Sequence, residues 1–81
     1  MCERIAEVVD VVKGKNPYAV TETAEIDGTV TFSLQKSHCV WVEDRLPLRG
    51  ETVVLSNLAH MEEKGWRAMN ARPYHPDDER N

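Results

Sequence analysis

Long apolar runs, cysteines and aromatic rings are all scarce in this 81-residue sequence. No stretch approaches the ~20 consecutive apolar residues of a transmembrane helix, and the N-terminal MCERIAEVVD lacks the basic start of a signal peptide. The two cysteines, Cys2 and Cys39, are too few for a disulfide framework, and a single bridge between them is the open alternative. Low cysteine use and the missing export signal predict a cytoplasmic protein with reduced thiols.

Positive charge is also in deficit, with 14 acidic residues against 10 lysines and arginines and a net charge of −4. Binding of duplex DNA depends on dense neutralisation of phosphates, so the total charge disfavours that function. A binding face is set by local charge, however, and four of the acidic residues lie in the terminal segments. The net charge therefore limits the function less than its sign suggests.

Patterns typical of catalytic or metal sites are missing as well. The four glycines form no phosphate-binding motif, and no C-x-x-C pair occurs. His38 and Cys39 are adjacent, so on a strand they would point to opposite faces, while His60 and His75 stand alone. Cys39 has no base at a recognisable spacing and is interpreted as a small buried hydrophobic residue. A chain this short also has little room for an enzyme cleft with lids, so we expect a non-enzymatic protein without cofactor or metal.

Three apolar runs between Gly28 and Leu55 predict consecutive β-strands. In the first run, residues 30, 32 and 34 are apolar and alternate with polar residues, the period of a half-buried strand. Residues 39–42, CVWV, and residues 52–55, TVVL, are rich in residues that favour strands. Asp27-Gly28 predicts a hairpin turn before the first run, because both residues tolerate positive φ.

The flanking segments bring the prediction to five or six strands. Residues 3–13 fit a helical stripe or a strand, and we interpret them as a strand because β-branched valines dominate and the other strands need a partner. Residues 18–25 and 66–74 are also predicted strands. Residues 57–64 are the place for at most one short helix, of one or two turns and capped by Asn57, with an irregular loop as the alternative. The single domain then spans residues 1–74, and the polar residues 75–81 are predicted to be a disordered tail.

Alternation along the strands assigns the inward-facing side chains. The predicted core consists of apolar residues that share parity within each run: Val30, Phe32, Leu34, Val40, Val42, Val53, Leu55 and Ala68. Trp41 has the opposite parity to Val40 and Val42, which predicts an exposed aromatic ring.

Short strands with frequent turns in so few residues predict an all-β Greek-key barrel of the OB type. Residues 40–43, VWVE, resemble the VFVH-type motif of cold-shock domains. Residues 48–55, LRGETVVL, and 64–71, KGWRAMNA, resemble the fourth and fifth strands of that fold and of initiation-factor-one-like OB domains. The chain departs from the cold-shock pattern at residues 13–18, which keep one aromatic, and at Glu43, which replaces a histidine. The resemblance implies a module that binds single-stranded RNA or DNA.

Single-strand binders of this architecture combine stacking aromatic rings with basic side chains for the phosphates. The candidates here are Tyr18, Trp41 and Trp66 for stacking and Lys13, Lys15, Lys36 and Arg67 for phosphates. We expect the ligand to cross the strands that carry Tyr18 and Trp41. The alternative for Trp66 is to close one end of the barrel.

A second hypothesis is a protein-interaction or assembly domain on the same barrel, which the net acidic charge and Glu43 favour. The electrostatics around Trp41 separate the two hypotheses: converging basic side chains favour nucleic acid, and a flat apolar patch favours a protein partner.

Overall fold

Five β-strands close into a barrel in this computed structural model, which describes residues 3–62 and 65–75. The strands are β1 (Arg4–Val12), β2 (Tyr18–Glu22), β3 (Thr29–Ser33), β4 (Thr52–Met61) and β5 (Gly65–Pro73). They follow one another around the barrel in the order β1-β2-β3-β5-β4, and β1 closes the ring by pairing with β4. The β3–β5 pair is parallel and the others are antiparallel. The prediction of a small all-β, OB-fold-like barrel is confirmed.

Strand β1 joins the two parts of the barrel because its first half pairs with β4 and its second half with β2. The register with β2 shifts between Val8 and Asp10, which is a β-bulge that bends the strand at this corner. The Arg49 side chain supports the bulge from outside, since its Nε donates to the carbonyl of Val9 at 3.1 Å. The interpretation of residues 3–13 as a strand is therefore confirmed.

The hydrophobic core follows the predicted alternation closely. Seven of the eight predicted core residues are buried: Val30, Phe32, Leu34, Val40, Val53, Leu55 and Ala68. Further buried side chains come from β1, β2 and the end of β5: Ala6, Val8, Ala19, Thr21 and Ala71. Thr21 enters the core without a lost hydrogen bond because its Oγ1 donates to the carbonyl of Val30 at 2.7 Å.

Residues 39–42 form no strand of the sheet, contrary to the prediction. A single 3₁₀ turn at Lys36–His38 precedes them, and Cys39 ends that turn with a φ of 56°. Only Trp41 forms a bridge, with Ala71, before the chain leaves the barrel. Val42 is consequently 63% exposed, and Cys39 is exposed too, so both were wrongly placed in the interior.

Strand β4 continues to Met61, where a short helix was predicted. Residues 58–61 pair with β5, so the tertiary ladder overrides the local helical preference of this segment. Asn57, the predicted helix cap, lies inside the strand with a φ of 54°. Its Nδ2 donates to Oδ1 of Asn70 across the hairpin. Strand β2 also differs slightly from the prediction, since it ends at Glu22.

The predictions for the chain ends fall largely outside the described residues. Cys2 and its suggested bridge to Cys39 lie outside them, as do all but His75 of the proposed disordered tail. Residues 63 and 64, the end of the segment for which a short helix was predicted, also lie outside them. Within the described residues, no helix has the length and apolarity needed to cross a membrane.

Truncation of Phe32 tests the core. This side chain is fully buried and stacks on Trp41 with ring centroids 5.6 Å apart. We expect Phe32→Ala to lower the free energy of unfolding by ~3–5 kcal/mol, because it removes a buried ring and leaves a cavity. Urea denaturation measures the loss. A variant that melts near the parent temperature would place Phe32 outside the core.

The positive φ of Asn57 generates a second prediction. Glycine adopts this conformation without steric cost, whereas a β-branched residue is strained by roughly 1–2 kcal/mol. Thermal unfolding should therefore rank Asn57→Gly as more stable than Asn57→Val.

Asn70, its exposed partner on β5, is the matched control because its φ is not positive. There the order should reverse, since valine suits an ordinary strand position and glycine does not. The same ranking at both positions would contradict the left-handed geometry of Asn57.

Candidate nucleic-acid interface

The outer face of β2, β3 and β5 collects the polar and charged side chains that point away from the core. Cross-strand register places Tyr18 opposite Ser33 and Thr31 beside Arg67. Because directly paired residues share a face, these four side chains lie on the outer surface of three neighbouring strands. The parallel β3–β5 pair thus adds a basic residue from the end of the chain to a surface built from its first half.

A depression of about 340 Å³ occupies this face. Its lining comes from β2, β3, β5 and two adjoining loops: Asn16, Pro17, Tyr18, Thr31, Ser33, Gln35 and Arg67. We refer to it as the Tyr18 depression. Tyr18 is 37% exposed and is the one exposed residue among the five phenylalanines, tyrosines and tryptophans, all of which lie in the described part of the chain. The depression therefore combines an accessible ring with a guanidinium group.

Hydrogen bonds hold together the two loops that border the Tyr18 depression. Gln35 Nε2 donates to Asn16 Oδ1 at 2.9 Å, and the backbone nitrogen of Leu34 donates to the carbonyl of Pro17 at 2.9 Å. Lys15 and Lys36 are the sequence neighbours of Asn16 and Gln35, and both lysines are exposed. The two loops consequently bring two lysines to one end of the face.

A second depression of about 340 Å³ adjoins the first, because Ser33 and Arg67 line both. Its other lining residues are His38, Val40, Met61, Ala68 and Met69. We refer to it as the methionine slot. Ser33 stands between the two depressions and is only 5% exposed. Its Oγ lies 2.7 Å from His38 Nδ1 and accepts from the backbone nitrogen of Gln35 at 3.2 Å, which fixes the 3₁₀ turn against β3.

Charge is unevenly distributed along this face. The end that carries the loops has Lys15 and Lys36, and the exposed Lys13 directly follows β1, whose last residue pairs with Tyr18. The opposite end is acidic, since Glu7 lies across from Glu22 in the β1–β2 ladder, and the exposed Asp10 lies between the two ends, opposite Val20. An anionic ligand is therefore attracted to the loop end, although the whole chain carries a net charge of −4.

Trp41 lies outside this face, and the prediction that it is exposed is wrong. The ring is half-buried, packs against the core and stacks on Phe32 at an interplanar angle of 24°. Its Nε1 donates to the carbonyl of Arg45 at 2.6 Å, and the Arg45 guanidinium covers the ring at 5.8 Å from the centroid. The prediction assumed that side chains alternate along a strand, and residues 39–42 do not form a regular strand. The basic group that contacts Trp41 is Arg45, and its charge is paired with Glu51.

The Trp66 side chain also packs mainly against the barrel core and lines neither depression. It is half-buried, packs against the core and contacts His60 edge-on with centroids 5.0 Å apart. It pairs with Val30 at the start of β5, whereas Trp41 bridges Ala71 five residues further along the strand. The two tryptophans therefore pack against the core at positions five residues apart along β5.

Of the predicted binding residues, Tyr18 and Arg67 meet in one depression and Lys15 and Lys36 border it. The residues missed by sequence reasoning are polar or flexible ones: Asn16, Thr31, Ser33, Gln35, His38, Met61 and Met69. Alternation in β3 already places Thr31 and Ser33 on the outer face, so that signal was present. Met61 was missed because its segment was interpreted as a helix.

The Arg45–Glu51 pair that covers Trp41 generates a pH prediction. Arg45 Nη1 and Nη2 donate to Glu51 Oε1 and Oε2 at 2.9 and 2.6 Å, and this bond, assisted by the backbone nitrogen of Leu48, lowers the pKa of Glu51 below its ordinary value of 4.5. A carboxyl group with a lowered pKa in the folded state stabilises the fold above its unfolded pKa and loses that contribution as the pH falls through the folded pKa.

Glu51→Gln should therefore be less stable than the parent near pH 7, and the difference should shrink as the pH falls below 4.5. Urea denaturation at a series of pH values measures this difference. Glu43→Gln is the control, because it removes an exposed carboxylate nearby and leaves the two-bond pair intact. A difference between parent and Glu51→Gln that is constant over the pH range would contradict the assignment.

Neither a metal site nor a related protein points to a function for this surface. Within residues 3–62 and 65–75, no group of three or more histidine, cysteine or acidic side chains could hold a metal ion. No family model, curated protein or solved structure matches this chain. The function is therefore argued from the geometry of the two depressions.

Proposed function

We propose that this barrel binds single-stranded nucleic acid, RNA or DNA, on the outer face of β2, β3 and β5. The observation that carries the proposal is the shared lining of the Tyr18 depression by an exposed aromatic ring and a guanidinium group. OB-type barrels use the face of strands 2 and 3, bordered by the loops between β1 and β2 and between β4 and β5, to bind oligonucleotides. The proposed ligand is the one that the resemblance implies. We now expect it to cross the strands that carry Tyr18 and Arg67, instead of those that carry Tyr18 and Trp41.

The chemistry of the face suits a single strand better than a duplex. One base stacks on Tyr18, and stacking is worth ~1–3 kcal/mol per base regardless of sequence. Arg67, Lys15 and Lys36 contact phosphates, and each such contact releases counterions. With one exposed ring and few cations, the affinity is modest and falls as salt is added.

The test is titration of a fluorescently labelled oligonucleotide at two salt concentrations, followed by anisotropy. Tyr18→Ala should weaken binding by ~1–3 kcal/mol, while Tyr18→Phe should retain it because the stacking ring remains. Arg67→Ala should weaken binding and reduce the slope of log affinity against log salt by about one phosphate contact.

Arg4→Ala is the matched control for Arg67→Ala. Both arginines are half-buried, and Arg4 lies on β1 beside β4, away from both depressions. The two variants change the net charge equally, so a specific contact at Arg67 predicts a loss that Arg4→Ala does not share. Equal losses of affinity in the two variants would mean that Arg67 acts only through the overall charge. No binding by the parent at low salt would refute the proposal.

One observation favours the alternative of a protein-interaction domain. Three large apolar side chains are exposed in the loop between β3 and β4, namely Val42, Leu46 and Leu48, and the acidic Glu43 and Asp44 lie among them. Exposed apolar residues among charged ones of both signs, which include Arg45 and Arg49, suit a protein partner. If the parent binds no oligonucleotide, this loop is the first interface to mutate, beginning with Leu48→Lys.

A further inference from the structure

The methionine slot exists because the barrel seam is short. Strands β3 and β5 pair only at Val30–Trp66 and Thr31–Arg67. Contact to β5 resumes further along, where the backbone nitrogen of Ala71 donates to the carbonyl of Val40 at 3.0 Å. Between these two points β5 is not paired with the segment that runs from β3 to Val40. The residues that line the slot, among them Ser33, Ala68 and Met69, come from this unpaired interval.

The lining of the slot is apolar and adaptable. Val40 and Ala68 are buried residues of its lining, while Met61 and Met69 are 43% and 51% exposed. Methionine has three rotatable bonds and a polarizable sulfur that contacts the edges and faces of aromatic rings favourably. Two exposed methionines in one depression therefore form a surface suited to a flat aromatic ring.

Charge at the rim identifies which aromatic ring fits. Arg67 lines both the slot and the Tyr18 depression, so its guanidinium places a positive charge where the two adjoin. The complementary ligand is an aromatic ring linked to an anionic group that contacts Arg67. Neighbouring bases on a strand are joined by such a group, the phosphate between their sugars.

We propose that two successive bases of one strand occupy the two depressions, one stacked on Tyr18 and the other inserted in the methionine slot, with the linking phosphate on Arg67. This inference rests on the proposed function and specifies how the ligand is held. The side chains of Met61, Met69, Val40 and Ala68 offer no hydrogen-bonding groups for base edges comparable to amides or hydroxyls. Ser33 Oγ is already hydrogen-bonded to His38 and to the backbone nitrogen of Gln35, and Arg67 is assigned to the phosphate. The slot therefore accepts purines and pyrimidines with little discrimination.

Methyl NMR of the methionines tests the insertion directly. Protein labelled at the methionine methyl groups is titrated with a short oligothymidylate and, separately, with an abasic deoxyribose-phosphate chain of the same length and charge. We expect ring-current shifts of the Met61 and Met69 methyl signals with the oligothymidylate only. Met61→Leu and Met69→Leu assign the two signals.

Affinity measurements on the full chain provide the second readout. Met69→Ala should weaken oligothymidylate binding about two- to tenfold, the range of a sulfur–aromatic contact, and oligoadenylate binding by a similar factor. Met69→Leu should retain more of the affinity, because it keeps the apolar bulk. Leu48→Ala is the control, since it truncates a side chain that is 67% exposed and lies in neither depression.

The outcomes separate the two proposals. Binding that depends on Tyr18 but leaves both methionine signals unmoved and is unaffected by Met69→Ala would overturn the slot and keep the proposed function. Shifts of the same size with the abasic chain would also overturn it, because they would report sugar-phosphate contact. No binding of the parent to either chain would refute the proposed function and the slot together.

Discussion

The short parallel contact between β3 and β5 is the constraint on which the molecule depends. Two residue pairs, Val30–Trp66 and Thr31–Arg67, connect strands that are more than thirty residues apart in the chain. Without them the sheet is open and both β3 and β5 present unpaired backbone groups to water. The contact also places Arg67 beside the face of β2 and β3, so barrel closure and assembly of the candidate interface have the same cause.

Both tryptophans pack against the core of the closed barrel. Trp41 stacks on Phe32 beneath the Arg45–Glu51 pair, and Trp66 packs against the core at the start of β5. A small domain buries a limited fraction of its surface, so large rings packed against its core contribute much of its stability. The consequence for function is that the largest aromatic side chains are committed to the fold, and Tyr18 remains for contact with a ligand.

Segregation of charge makes the acidic net charge of this protein compatible with the anionic ligand that we propose. Lysines lie in the loops after β1 and β3, while paired glutamates occupy the other end of the β1–β2 ladder. At physiological ionic strength charges more than ~8 Å apart are largely screened, so a ligand at the loop end interacts mainly with the local lysines. The acidic remainder disfavours extended, duplex-like contact over the whole molecule.

The sequence alone determined the strand content and most of the core, because alternation in runs such as Val30, Phe32 and Leu34 records which face each strand buries. It also identified Tyr18, Arg67 and the loop lysines as binding candidates from residue type and position. It misplaced Trp41 and Val42, since a 3₁₀ turn ahead of them breaks the period that parity assumes. It misread residues 57–61 as well, because pairing with β5 outweighs a local helical preference. Which candidates meet was decided by the tertiary structure: register between distant strands, and the point at which the β3–β5 pairing stops, depend on contacts that no local pattern encodes.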